Sequence, residues 1–337
     1  MLEIKKDFSL KEFNTFHLDV KTSEYIKFDN TQEIRTWIKE SKPDPDNIFI
    51  MGGGSNLLFT SDYAGTIIHP AIDNISIVEE NSKYIYLKAE AGIVWDDFVE
   101  YCVSNSFYGV ENLSLIPGNV GATPVQNIGA YGAEVKDTIE KVQGIFLNTG
   151  DEFSLKNDEC RFGYRSSIFK HELRKQCLIT SVVFRLSKKP GLNLKYGHLK
   201  DKVMEIGELN IKNIRKAVIE TRKEKLPDPD KTGNAGSFFK NPEISLNEYN
   251  ELKSKTPDIP GYFLTDDKVK VPAGWLIDKA GWKGKRTGNA GVHHEQALVL
   301  VNLNNATGKE ILNLASRIEA DIKNKFGIEL EKEIIVI

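Results

Sequence analysis

The run Gly52-Gly53-Gly54-Ser55-Asn56 follows a short apolar stretch, Ile48 to Met51. Consecutive glycines let a backbone come close to a pyrophosphate and turn its N–H groups inward as an anion nest. The run is not a G-x-G-x-x-G fingerprint, since Leu57 stands in the third glycine's place, nor a P-loop, since no Gly-Lys-Ser/Thr follows. Taken by itself it is equally a tight turn after a strand. A second segment, LSLIPGNVGATPVQNIGAYG at 113 to 132, carries Gly118, Gly121, Gly129 and Gly132 with Pro117 and Pro124. It holds too many breakers for a helix and is too apolar for a loose linker, so an ordered ligand-facing loop is expected. Two such loops suit a ligand with two ends to hold, such as a dinucleotide.

Other reactive residue types are scattered more widely. Ser237-Phe238-Phe239-Lys240 formally matches S-x-x-K, and Lys231-Thr232-Gly233 supplies K-T-G, the signature of penicillin-recognising serine acyltransferases. The order is wrong for that chemistry: K-T-G precedes the serine, Ser61-Asp62-Tyr63 is a damaged S-D-N, and MLEIKKDFSL lacks the apolar stretch of an export signal. His293-His294-Glu295 begins like a zinc-binding H-E-x-x-H, but Leu298 replaces the second histidine, so no metal is expected and the pair reads as a polar edge before ALVLVN. Arg165 in CRFGYRSSIFK has the planar fork that fits a carboxylate or phosphate, and it fits a stacked or ion-paired arginine beside Tyr164 equally well. Glu331 and Glu333 share one face of an expected terminal strand, and spacing does not choose between them.

These residues need elements to position them. Asn30 with Glu33 makes a capping pattern ahead of Ile34, Trp37 and Ile38, which share one helix face, and Pro43 and Pro45 stop that helix. Ile48 to Met51 reads as a buried strand that places the first glycine loop at a strand end. The alternation from Lys83 to Ala89 is strand-like, and Gly92 leads into a helix carrying Val94, Phe98 and Cys102. KLPDPDKTG, residues 225 to 233, concentrates breakers and is the expected start of a last domain. Beyond it Ile311, Leu314, Ala315, Ile318 and Ile322 keep helical spacing, Gly327 suits the position after a helix end, and IELEKEIIVI closes as a strand. Thr232 to Gly236 is echoed by Thr287 to Gly291 with no match around the copies, which reads as coincidence.

Composition narrows the function classes. The 337 residues carry 45 basic and 48 acidic side chains, a net −3, so no cationic excess exists to neutralise a run of phosphates and nucleic acid is not an expected partner. Cys102, Cys160 and Cys177 are an odd number without a C-x-x-C pair, which argues against a disulfide framework and fits a reducing compartment, the cytoplasm. No apolar run reaches the ~18 residues of a spanning helix, so no membrane partner is expected.

Long ordered stretches add a resemblance. NTFHLD at 14 to 19, GGGSNLLF at 52 to 59, ENLSLIPGNVGATPVQNIGAYG at 111 to 132, ECRFGYRSSIFKHE at 159 to 172, KLPDPDKTGNAGSFFKNP at 225 to 242 and AGWLIDKAG at 273 to 281 resemble the UDP-N-acetylenolpyruvoylglucosamine reductase family, also called UDP-N-acetylmuramate dehydrogenases, bacterial cell-wall flavoenzymes. The likeness covers nearly the whole chain. It implies an α+β fold of the vanillyl-alcohol oxidase type, with two α+β subdomains holding FAD and a C-terminal α+β substrate domain. Residues 1–70, joined by the strand 328–337, and 71–225 would be the flavin subdomains, and 226–327 the substrate domain.

The resemblance also implies roles. Gly52, Gly53, Gly54, Ser55 and Asn56, with Pro117, Gly118, Gly121, Ala122, Thr123, Gln126, Asn127, Gly129, Ala130 and Gly132, would bind FAD. Ser237 would be the proton donor, Arg165 the arginine of the RFGYR motif, and Glu333 the glutamate of L-E-x-E. LKYGHL would place the substrate-covering tyrosine of the longer family type at Tyr196, and Tyr164, Lys225, Asn241, Tyr262, Lys283 and Gln296 would contact substrate. Lys332 replaces a proline found in some members, and TGNAGVHH replaces G-G-x-A-V-H. The implied reaction reduces UDP-N-acetylglucosamine enolpyruvate to UDP-N-acetylmuramate with NADPH as co-substrate, in a cytoplasmic monomer serving peptidoglycan synthesis. A flavin oxidase passing electrons to oxygen, and a silent nucleotide-sugar binding module, are the alternative readings.

Overall fold

Alternation of Tyr84, Tyr86 and Lys88 against Ile85, Leu87 and Ala89 produces the strand Tyr84–Glu90, and the second set is buried. The computed structural model describes residues 2–194 and 197–337. This strand belongs to a five-stranded antiparallel sheet in the order Glu152–Lys156, Ile139–Phe146, Cys177–Ser187, Tyr84–Glu90, Ile75–Glu80. Its central strand is buried from Cys177 to Phe184, as expected for a strand covered on both faces. Helix α2, Trp95–Ser104, packs there: the Phe98 and Phe184 rings lie 4.6 Å apart and those of Trp95 and Phe184 5.8 Å apart. Val94, expected on the buried face of this helix, instead precedes it as the cap residue and is exposed; Trp95, Phe98, Val99, Cys102 and Val103 make the buried stripe.

A four-stranded sheet runs Glu3–Ser9, Lys21–Phe28, Tyr63–Pro70, Ile48–Ile50, the last two parallel. Helix α1, Thr31–Ser41, starts where the Asn30 side chain accepts from the Gln32 N–H at 2.8 Å, and stops at Lys42, which is left-handed just before Pro43. Its Ile34 and Ile38 are buried with Ile26, Phe28, Ile48 and Ile68. Helices α3, Leu199–Ile206, and α4, Ile211–Lys225, pack through Leu199 and Val203 against Ile214, Ala217 and Val218.

The chain falls into two units, neither continuous in sequence. The first comprises Met1–Phe8, Thr22–Gly53 and Ala64–Glu224; the second comprises Ser9–Lys21, Gly54–Tyr63 and Lys225–Ile337. The second unit holds a four-stranded sheet in the order Gly233–Ser237, Val299–Asn302, Ala290–Val292, Arg286–Thr287, and a three-stranded one in the order Glu243–Ser245, Lys268–Lys270, Tyr262–Phe263. Helices α5, Leu246–Lys255, α6, Ala273–Lys279, and α7, Gly308–Phe326, complete it. The Thr307 hydroxyl and the Glu310 carboxylate cap α7 reciprocally, and Gly327 at φ 70° ends it.

Only Ile335–Val336 of the expected terminal strand finds a strand neighbour, Leu57–Leu58, in parallel. Residues 328–334 lie outside regular strand apart from a single bridge between Phe239 and Lys332. The repeated T-G-N-A-G flanks Val299–Asn302 on both sides, but Gly233 faces Asn302 in one copy and Ala290 faces it in the other. The registers differ by two residues, so the copies are not structural equivalents.

Candidate active site

In the first unit the two glycine-rich loops meet. A Cβ on Gly53 would lie 2.9 Å from Asn119 Oδ1 and 3.2 Å from Gly118 Cα, so any larger residue would push the two loops apart. Among the described residues no acceptor takes the N–H of Gly52 or Gly53, which leaves both donors for an anionic ligand. Asn119 Nδ2 is tied to the Gly92 carbonyl at 2.5 Å, and the Gly118 carbonyl accepts from the Trp95 N–H at 2.9 Å. Gly121 backs onto Ala91, 2.6 Å from where its Cβ would stand, and the Thr123 hydroxyl donates to the Val120 carbonyl at 2.8 Å. Crowded backbones with spare N–H groups suit the pyrophosphate of a dinucleotide cofactor.

Arg165 closes the far end of the second loop. Its Nη2 donates to the Gly129 carbonyl at 2.7 Å and Nη1 to the Asn127 carbonyl at 3.4 Å, and its guanidinium lies 5.7 Å from the Tyr164 ring centre. Asn127 is buried: its amide donates to the Gly163 carbonyl at 2.9 Å and its side-chain oxygen accepts from the Lys136 N–H at 3.1 Å. The 127–132 stretch, with Ala130 and Gly132, is thereby stitched to the 163–166 turn. Asn127, Tyr131 and Arg165 all hold positive φ, a sparsely populated conformation that persists only where the surroundings fix it.

The second unit holds Gly54 to Asn56, Ser237, Glu333 and five of the expected substrate residues. The Thr15 N–H donates to the Gly54 carbonyl at 3.3 Å and the Thr15 carbonyl accepts from the Asn234 N–H at 2.9 Å. Its hydroxyl is buried without a hydrogen-bond partner among the described residues, a group that a water or a polar ligand atom would satisfy. The Glu333 N–H donates to the Phe238 carbonyl at 2.8 Å, and Asn56 Nδ2 donates to the Glu333 carbonyl at 3.3 Å. Gly54 to Asn56, the strand ending at Ser237 and the segment around Glu333 are therefore one hydrogen-bonded group. Gly236, at φ 67° with open space where a Cβ would stand, turns the chain just before Ser237.

Other expected residues divide by surroundings. Asn241 Oδ1 accepts from the Ala273 N–H at 2.9 Å, and Gln296 Oε1 lies 3.2 Å from where a Gly274 Cβ would be, so both amides gather at the first turn of α6. Tyr262 is 61% exposed on a sheet edge, Lys283 lies 3.5 Å from Asp278, and Lys225 ends α4 in solvent. Tyr196 lies outside the described residues. His293 Nδ1 accepts from the Glu295 and Gln296 N–H groups, both at 3.3 Å, and so shapes a turn. Among the described residues no three His, Cys, Asp or Glu side chains gather as a metal site.

Sequence reasoning missed Asp96, Arg215 and Arg222, which hold the start of the second loop. Asp96 accepts from the Leu115 N–H at 2.5 Å, and Arg222 donates to the Leu115 carbonyl at 3.1 Å. A signal was present: two arginines interrupt the apolar helical stripe of Ile211, Ile214 and Val218.

Comparison with known proteins agrees with this architecture. A family description of FAD binding domains matches residues 23–155, and one of the UDP-N-acetylenolpyruvoylglucosamine reductase C-terminal domain matches residues 228–337. The first match, with the α+β fold and paired glycine loops, defines an FAD-containing oxidoreductase. The chain is 45% identical over 339 residues to the UDP-N-acetylenolpyruvoylglucosamine reductase of Flavobacterium johnsoniae, covering 100% of both, and 44% identical over 331 residues to that of Bacteroides fragilis, covering 98% of this chain and 99% of the relative. It belongs to the UDP-N-acetylenolpyruvoylglucosamine reductase family. The crystal structure of the Thermus caldophilus enzyme of that name shares the fold, with a TM-score of 0.70 at 23% identity over 100% of this chain and 98% of that one. No helix among the described residues is long and apolar enough to cross a membrane.

Proposed function

We propose that the protein reduces UDP-N-acetylglucosamine enolpyruvate to UDP-N-acetylmuramate at the expense of NADPH, in peptidoglycan precursor synthesis, as a cytoplasmic monomer. Full-length identity of 45% to a curated reductase of that name carries the reading. FAD, which Gly52 to Asn56 and the loop from Pro117 to Gly132 would hold, would supply what no side chain can, hydride transfer from NADPH to the enol ether. Residues 1–70 with 328–337, and 71–225, act as the flavin-holding parts, and 226–327 as the substrate part.

The chain's own residues handle the charge and the proton. Adding hydride at C3 leaves negative charge on C2 and the adjoining carboxylate, and preorganised donors there stabilise the transition state more than the ground state. Arg165 contacts that carboxylate, with Tyr164 against its guanidinium. Glu333 assists as the enol-like charge forms, and the Ser237 hydroxyl delivers the proton to C2. Lys225, Asn241, Tyr262, Lys283 and Gln296 hold the nucleotide sugar, and Tyr196 covers it. Support for the serine comes from its setting: it follows a left-handed glycine, and the backbone of the next residue is bonded to Glu333.

Rapid-reaction kinetics of Ser237→Ala test the assignment. Flavin reduction by NADPH should proceed at the wild-type rate, while reoxidation by the enolpyruvate falls ~10²-fold or more, the size of a general-acid contribution. Equal slowing of both halves would remove Ser237 from the role.

A further inference from the structure

Leu115 opens the second glycine-rich loop at φ 58°, a conformation that residues other than glycine avoid. Both of its backbone polar groups are taken by side chains from outside the loop. Its N–H donates to Asp96 Oδ1 at 2.5 Å, and its carbonyl accepts from Arg222 Nε at 3.1 Å. Asp96 is held in turn by the Arg215 fork, Nη1 to Oδ1 at 2.6 Å and Nη2 to Oδ2 at 3.0 Å. The pair is 11% and 22% exposed, which takes it out of the class of weak surface bridges. Arg215 and Arg222 stand two turns apart on α4, on the stripe that also carries Ile211 and Val218. Three residues after Leu115 comes Gly118, whose carbonyl is fixed by the Trp95 N–H at 2.9 Å and whose Cα faces Gly53. The turn from Leu115 to Gly118 is clamped at both ends, by α2 and by α4.

We propose that Asp96, Arg215 and Arg222 are positioning residues for the flavin. They preform the Leu115–Gly118 turn, so that cofactor binding does not have to order it. None of the three touches a reacting atom; their effect passes through the loop backbone. The proposal rests on the reading that the loops at 52–56 and 115–132 hold FAD.

The test compares Arg222→Gln and Arg222→Lys with the wild type, using flavin-stripped full-length protein titrated with FAD and followed by hydrogen exchange. Loss of one charge-assisted hydrogen bond should weaken FAD binding by R222Q ~10-fold or more. Lysine can donate to the same single carbonyl, so R222K should stay within about threefold. In stripped R222Q, exchange should quicken at residues 113–118 and stay unchanged in the strands Tyr84–Glu90 and Cys177–Ser187. FAD binding by R222Q equal to wild type would overturn the proposal, and so would quickened exchange throughout the sheet, which marks a merely structural arginine. Gly118→Ala separates the proposal from the reading beneath it. Gly118 sits at φ 121°, which alanine avoids, so FAD affinity unchanged in G118A would show that this loop does not hold the flavin at all.

Discussion

Glu331 and Glu333 are chemically identical and two residues apart, yet their surroundings differ. The Glu331 carboxylate pairs with Lys240 and is 71% exposed, a bridge of small energetic weight. Glu333 is bonded through its N–H to the Phe238 carbonyl and through its carbonyl to Asn56, beside Ser237 and the end of the first glycine loop. Steady-state turnover should therefore fall ~10²-fold in Glu333→Gln and stay within about threefold in Glu331→Gln; the opposite ranking would assign the role to the wrong glutamate. The glycines of both loops were legible as breaker-rich runs of residue type, although what crowds a Cβ there is distant in sequence: Asn119 and Gly118 at Gly53, and Ala91 at Gly121. The Asp96–Arg215 pair was not, because its members are 119 positions apart and nothing local marks an ion pair. Arg165 was legible as an arginine stacked beside Tyr164; its observed bonds to the Asn127 and Gly129 carbonyls were beyond reach of residue type.

Elements were legible where a period and an end signal agree. Helix α7 combines a stripe of Ile311, Leu314, Ala315, Ile318 and Ile322 with a left-handed Gly327, and the structure returns all of these. Its cap adds a testable increment. The Thr307 Oγ1 accepts from the Glu310 N–H at 3.2 Å while the Glu310 carboxylate accepts from the Thr307 N–H at 2.8 Å. Thr307→Ala should lower unfolding free energy by ~1 kcal/mol in a urea titration, and an unchanged midpoint would mean that the cap adds nothing. The terminal strand failed as an expectation for a reason of partners. Alternation in IELEKEIIVI is real, but pairing among the described residues is split between two short partners: Glu331 to Glu333 bonds to Phe238–Lys240 around one bridge, and Ile335–Val336 pairs with Leu57–Leu58. Periodicity records which face a strand would show and not how far a neighbour runs alongside it.

At the scale of the molecule, linear reading is limited by chain segments that fold away from their sequence neighbours. Residues 9–21 and 54–63 join the second unit through bonds such as Thr15 to Gly54 and Asn234, and Thr60 to Ile337. No composition shift announces that, because the contacts are set by topology. The breakers at 225–233 announce a change of unit after Glu224 because α4 must stop there. In the proposed reaction one flavin accepts electrons from NADPH and gives them to the enolpyruvate of a nucleotide sugar. An anaerobic visible spectrum of the purified, FAD-loaded protein, titrated first with NADPH and then with UDP-N-acetylglucosamine enolpyruvate, tests it most directly. The flavin band should bleach with the first addition and return with the second. A band that bleaches and does not return would contradict the assigned acceptor, and a band that NADPH leaves untouched would contradict the assigned donor.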